Sequence, residues 1–205
     1  MLIKSDDLER HLKQAEEKQW MAPVWVILDE EPLLATEALD LLRHTANKLG
    51  YTDRQTFAFT ATSDWSELLD SLMSVSLFDD KKLMTVRLLS SGPGVKSTKL
   101  LSQFVESAPG IDTIVTIFHL TEVDYKTFKA AWYKSLEKIA NVVSCRPIDR
   151  AHYVTWIQKR LQRQNQSMSA QALSFFAEQT EGNLMAAKQE LMKLSLLCLL
   201  YTSDA

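Results

Sequence analysis

Glycine is scarce in this 205-residue chain: Gly50, Gly92, Gly94, Gly110 and Gly182 are all it has. That excludes an intact phosphate loop of the form G-x-x-x-x-G-K-[ST], whose backbone N–H groups close round an anion only where glycine frees the chain. Cysteine is scarcer still. Cys145 and Cys198 are far apart, with no C-x-x-C and no Cys/His cluster, so no structural zinc site is expected and a reducing cytoplasm fits best. Long apolar runs are missing as well. The longest, "LSLLCLLY" near the end, is too short to span a bilayer and reads as a buried helix face. The opening "MLIKSDDLERHLKQ" is too charged for a signal peptide. Nor is there a strong charge excess: the net charge is −3, which does not by itself point to nucleic acid but leaves room for a local basic patch.

What is present is an ordinary globular composition, 46% hydrophobic and 24% charged, enough for a substantial core. The first 146 residues alternate between two patterns. "APVWVIL", "QTFAFTA", "KLMTVRLL", "DTIVTIFHL" and "NVVSC" are short apolar runs that predict strands. Between them, "LLATEALDLLRHTANKLG", "SDWSELLDSLMS", "VKSTKLLSQFVES" and "YKTFKAAWYKSLEKIA" have helical spacing, and Ser5 opens a further helix at the start. Strand–helix alternation predicts an α/β fold: a parallel sheet with helices on both faces. Beyond Pro147 the pattern is helical only: "DRAHYVTWIQKRLQRQ", "SAQALSFFAEQT" and "NLMAAKQELMKLSLLCLL". The expected division is therefore a sheet domain, 1–146, and a small all-helical domain, 147–205.

Tests for chemistry are mostly negative. "SSGPGVKS" mimics the end of a phosphate loop with Lys96-Ser97, but Val95 precedes the lysine and Ser90 stands at the earlier glycine position. "DEEP" (Asp29–Pro32), after the first apolar run, offers carboxylates where a triphosphate would be repelled; helix capping explains them more simply. His11, His44 and His152 fall in helical stretches. His119 ends a strand, without a serine or cysteine elbow beside it. Asp29, Glu30, Glu31, Asp79 and Asp80 show no metal-ligand spacing. No catalytic residue, metal or cofactor is expected. Lys159, Arg160 and Arg163 lie within helical reach of one another, a candidate contact for DNA phosphates or simply a solvated face. The segment "SVSLFDDKK" sets Leu77 and Phe78 in what should be a polar connection. Either Phe78 folds into the core or it is held out for a partner.

Four stretches carry a resemblance. "VWVILDEEPLLATEALDLLR", "MSVSLFDDKKLMTVRL", "AAWYKSLEKIANVVSCRPID" and "TEGNLMAAKQELMKLSLL", in that order, resemble the delta-subunit family of bacterial DNA polymerase III. The resemblance implies an AAA+-like sheet domain without a phosphate loop, a helical lid, and a third, collar domain that this chain lacks. It implies a cytoplasmic, non-membrane clamp-loader subunit of the polymerase holoenzyme (a nucleotidyltransferase complex), with no activity of its own. Its partners would be the sliding clamp (beta subunit), the companion loader subunits (gamma/tau and delta prime) and primed DNA. Leu77 and Phe78, widened by Val75 and Met73, would form the hydrophobic wedge that enters the clamp. The chain departs from the family in two places. Asp29 stands where glycine is frequent, and Ser144-Cys145-Arg146 replaces the Ser-Arg-Cys of ATP-cycling relatives, so no arginine-finger role is carried over to Arg146. The alternative reading is a nucleotide-dependent α/β enzyme with a degenerate phosphate loop.

Overall fold

The computed structural model describes residues 1–74 and 81–202, with side chains up to Leu197. Contacts divide the chain into two compact units, Met1–Arg146 and Pro147–Ala205.

In the first unit six strands form one sheet in the order β1-β6-β2-β5-β4-β3. They are β1 (Leu2–Lys4), β2 (Val24–Asp29), β3 (Tyr51–Phe59), β4 (Lys81–Leu88), β5 (Ile114–Leu120) and β6 (Asn141–Cys145). Every pairing is parallel. The central strands β2 and β5 are buried almost throughout, which is why their sequences run apolar rather than alternating. The edge strand β3 is exposed along most of its length and carries polar residues there.

One face of the sheet buries Val26, Leu28, Met84, Val86, Phe118 and Val142 against helices α3 (Ser66–Met73), α4 (Gly94–Ser107) and α6 (Ala131–Ile139). Trp65, Leu68, Phe104, Tyr133 and Leu136 are the helix side of that core, and Phe104 meets Phe118 edge-on at 5.2 Å. The opposite face is packed by α1 (Ser5–Glu17) and α2 (Pro32–Lys48), whose Leu8, Leu12, Leu33, Ala38, Leu42 and Ala46 are buried. Helix α2 starts where Pro32 occupies its first turn and the Glu31 carboxylate accepts from the Leu33 amide. It ends at Gly50, whose φ is +91°.

The structure corrects the sequence expectations at three points. Strand β1 pairs with β6 at the sheet's edge, although three residues carry too little pattern to predict it. The single helix expected over "YKTFKAAWYKSLEKIA" is two, α5 (Tyr125–Lys129) and α6, broken at the extended Ala130. Helix α5 has its own start: Asp124 and Thr127 form a reciprocal capping box. And "LSLLCLLY" is not a wholly buried face, because Leu196 is 61% and Leu197 is 53% exposed. The helix that contains them buries Leu184, Ala187 and Leu191, at helical spacing; a run of successive leucines necessarily turns some of them off that stripe.

The second unit holds α7 (Arg150–Arg163), α8 (Ala170–Thr180) and α9 (Leu184–Thr202). Asp149 and Ser169 cap the first two, accepting from the amides of His152 and Ala172. Asn183 accepts from Ala186 at the start of the third. The buried Tyr153 hydroxyl donates to the Thr180 carbonyl at 2.8 Å, joining α7 to the end of α8. Among the described residues no helix is long and apolar enough to cross a membrane.

Candidate functional site

Helix α3 ends at Met73, which is 56% exposed. The next residue, Ser74, leaves the helix in extended backbone and donates its hydroxyl to the Ser71 carbonyl. After the six residues 75–80 the chain re-enters the sheet at Lys81, the start of β4. There Lys82 reaches back, its Nζ donating to Ser74 Oγ at 3.1 Å and to the Ser71 carbonyl at 3.4 Å. Lys81 donates to the Leu49 carbonyl and sits 5.1 Å from the Tyr51 ring. Ser71 also donates to Gln55 of β3. The flanks of the segment 75–80 are thus fixed to one another and to the N-terminal half of the β3–β4 edge. Val75, Leu77 and Phe78 themselves lie outside the described residues, as do Asp79 and Asp80; Met73 is the one wedge candidate that the structure places.

At the other end of the sheet lie the residues of the "DEEP" turn. His119 Nε2 and Asp29 Oδ2 are 2.8 Å apart across β5 and β2, both largely buried. Glu30 lies 3.6 Å from Arg146, just past β6. Cys145, paired in register with Asp29, is fully buried; burial, then the charges of Asp29 and Glu30, push its thiol up to about 12. A phosphate entering here would meet carboxylates and a buried neutral thiol. Among the described residues no group of three or more His, Cys, Asp or Glu is arranged to hold a metal ion.

The glycines of "SSGPGVKS" serve packing. Gly94 has a φ of +76°, and a Cβ there would lie 1.9 Å from the Ala61 carbonyl oxygen. A Cβ at Gly92 would lie 3.1 Å from the Trp132 indole nitrogen. Ser97, the residue that would face a metal–phosphate group in a true phosphate loop, is buried and donates to the Ser63 carbonyl instead.

In α7, Lys159 and Arg163 are exposed, whereas Arg160 is half-buried with its guanidinium 4.1 Å from the Trp156 ring centre. Cation–π stacking therefore absorbs part of what the sequence offered as a phosphate contact. His152, also in α7, is 2.6 Å from Asp149, and that hydrogen bond holds the Asp149 carboxyl below its ordinary value.

The family model for DNA polymerase III, delta subunit, matches residues 25–146, more than half of the chain and the whole of the sheet domain from β2 onward. The chain belongs to that family. It is 24% identical over 186 residues to the DNA polymerase III subunit delta of Escherichia coli K12, covering 90% of this chain and 53% of the relative. To that of Haemophilus influenzae it is 23% identical over 197 residues, covering 94% and 54%. The chain thus spans about half the length of the curated relatives it matches. Among solved structures it resembles the Bacillus subtilis DNA clamp loader delta protein, with a TM-score of 0.63 at 14% identity, over 93% of this chain and 57% of the other. At that identity the structural likeness speaks for the fold. Of the two turns weighed in the sequence as phosphate loops, one carries acidic side chains and the other is closely packed.

Proposed function

We propose that this chain is the part of a delta subunit that binds and opens the sliding clamp, as a clamp-loader component of the DNA polymerase III holoenzyme in replication. The observation that carries the reading is the delta-family match, which runs through "SVSLFDD" and its flanks. Leu77 and Phe78 are the proposed wedge. The exposed Met73, with Val75, extends its apolar surface. On either side of the segment 75–80, Ser74 and Lys82 are held to one another by a hydrogen bond, which restrains its ends. Two such side chains, fully buried in a partner, contribute about 1.5–3 kcal/mol each.

Opening follows from linkage. A closed ring has an open state of low population, and a ligand that prefers the open form shifts the balance by its differential affinity and no more. No hydrolysis by this chain is needed. In the full loader, ATP binding by companion subunits would control access to the wedge, and primed DNA would be received by the assembled complex of this chain with gamma/tau and delta prime. Lys159 and Arg163 of α7 are proposed DNA-phosphate contacts, Arg160 a weaker one because of its stacking on Trp156. The test is capture of the purified beta clamp by the chain without nucleotide; failure to capture at micromolar concentrations would sink the reading.

The same proposal holds that the chain hydrolyses no ATP. Gly94 and Ser97 are committed to the Ala61–Ser63 turn, and the β2 turn is acidic. Steady-state turnover should stay at the background of the buffer. Turnover that co-purifies with the chain and disappears on Lys96→Ala would overturn this in favour of a nucleotide-dependent enzyme.

We propose further that 1–146 and 147–205 are separate domains, the second a helical lid. Arg146, Pro147, Asp149 and Arg150 are exposed. Limited proteolysis should therefore cut at 146–150 before it degrades the sheet. Early cleavage within Val24–Leu28 would count against the division.

A further inference from the structure

On the α2 face of the sheet, arginines from three elements come together. Arg87 is the one exposed residue of β4, whose neighbours on either side are buried. It registers with Ala58 of β3 and, across β5, with His119. Arg54 lies on the same face of β3, because residues two apart share a face: Arg54, Thr56 and Ala58 run along it, all exposed. Arg43 of α2 is half-buried beside them. Burial lowers its guanidinium; the charge of Asp40 opposes that, and the smaller contributions of Arg54 and Arg87 add to the lowering. Among the described residues none of the three has a carboxylate within ion-pair distance. The chain is acidic overall, so this local cluster runs against its net charge.

We propose that Arg43, Arg54 and Arg87, with the Thr56 hydroxyl between the two strand arginines, form a track for the phosphodiester backbone of DNA. The three like charges repel one another, with Asp40 offsetting part of that repulsion at Arg43, and a bound polyanion reverses what remains. Guanidinium groups suit the task because each presents a fork of N–H donors to phosphate oxygens. The spacing selects a polymer over a single anion. Arg54 registers with Leu83, four residues before Arg87, an offset of about 13 Å along the strands. One phosphate cannot bridge that distance, whereas successive phosphates of one strand can. The contacts would be to backbone only, so binding would be independent of sequence. The choice of DNA rests on the replication reading above. The track shares no residue with the proposed clamp contact, so the two can fail separately.

The test uses the full 205-residue chain and a fluorescein-labelled 30-nucleotide oligothymidine, with anisotropy read from 50 to 200 mM salt. The double variant Arg54→Gln/Arg87→Gln should bind about tenfold more weakly, and the slope of log affinity against log salt should fall by about 1.4, the single-strand value for two phosphate contacts. Capture of the beta clamp by the same variant should be unchanged. Arg54→Lys/Arg87→Lys should keep most of the salt slope, since the charges remain. Unchanged DNA affinity and slope in the glutamine variant would overturn the proposal. So would displacement of the oligonucleotide by inorganic pyrophosphate at equal phosphate concentration, which would mark a small-anion site. Displacement by polyglutamate as efficient as by unlabelled DNA would overturn it in favour of an acidic protein partner. Loss of the melting transition in both double variants would assign the arginines to the fold and overturn it too.

Discussion

Replacing Leu77 and Phe78 together by alanine should weaken binding to the sliding clamp by about 2–4 kcal/mol, the range of a paired hot spot. At about 1.4 kcal/mol per decade that is roughly a thirtyfold to thousandfold rise in Kd, measurable by surface plasmon resonance against immobilised beta clamp. Binding by the parent chain should need no ATP, because the companion subunits that would control access are not there. The fold should survive the change. Circular dichroism and the melting temperature of the same variant separate the two readings of Phe78 left open by the sequence. If the variant loses its melting transition, Phe78 is a core residue. If it stays folded and still binds at full strength, the contact lies elsewhere. Met73→Ala is the useful companion: at 56% exposure it should leave stability within about 0.5 kcal/mol and weaken clamp binding less than the double change does.

The legibility of this chain follows the length and regularity of its patterns. The apolar runs of β2 and β5 announce a buried parallel sheet, because no other element needs several consecutive apolar residues with both faces covered. Helix α2 is equally plain, with Pro32 at its start, a stripe along it and Gly50 after it. The short elements are the ones that escape. Strand β1 has three residues, and its place is fixed by β6, far along the chain. The break at Ala130 is invisible to helical periodicity, since alanine is a strong helix former; the capping box at Asp124 and Thr127 was the signal available. At the functional level the absence of glycine was informative, but the reason for the glycines that remain was not. Nor was the arginine cluster. Arg43, Arg54 and Arg87 are scattered in sequence, and only the register of β3 with β4 and the packing of α2 set them together. The proposal of a wedge at Leu77 and Phe78 comes from the resemblance to the delta family; spacing alone left the two residues ambiguous.

Gly94→Ala should cost the sheet domain about 2–5 kcal/mol, the largest loss expected from adding one methyl group to this chain. Two independent terms add. A non-glycine residue at a φ of +76° costs about 1–2 kcal/mol in the left-handed region. The new Cβ would also stand 1.9 Å from the Ala61 carbonyl oxygen, a backbone atom that cannot swing aside, and relieving such overpacking typically costs a further 1–3 kcal/mol. Two other glycines of the same domain isolate the terms. Gly50 has a φ of +91°, but its nearest neighbour is the flexible Lys81 side chain at 3.7 Å, so Gly50→Ala should show the conformational cost alone. Gly110 has an ordinary φ and nothing within 4 Å, so Gly110→Ala should be close to neutral. Urea unfolding of the three variants should rank them Gly94, then Gly50, then Gly110, with an unchanged m-value. The ranking bears on function as well as stability. A glycine kept for a phosphate cradle would face open space, and alanine there would show at most the conformational cost expected of Gly50→Ala. If Gly94→Ala unfolds at the parent's urea midpoint, the turn is looser than its contact with Ala61 implies, and "SSGPGVKS" returns as a candidate anion loop.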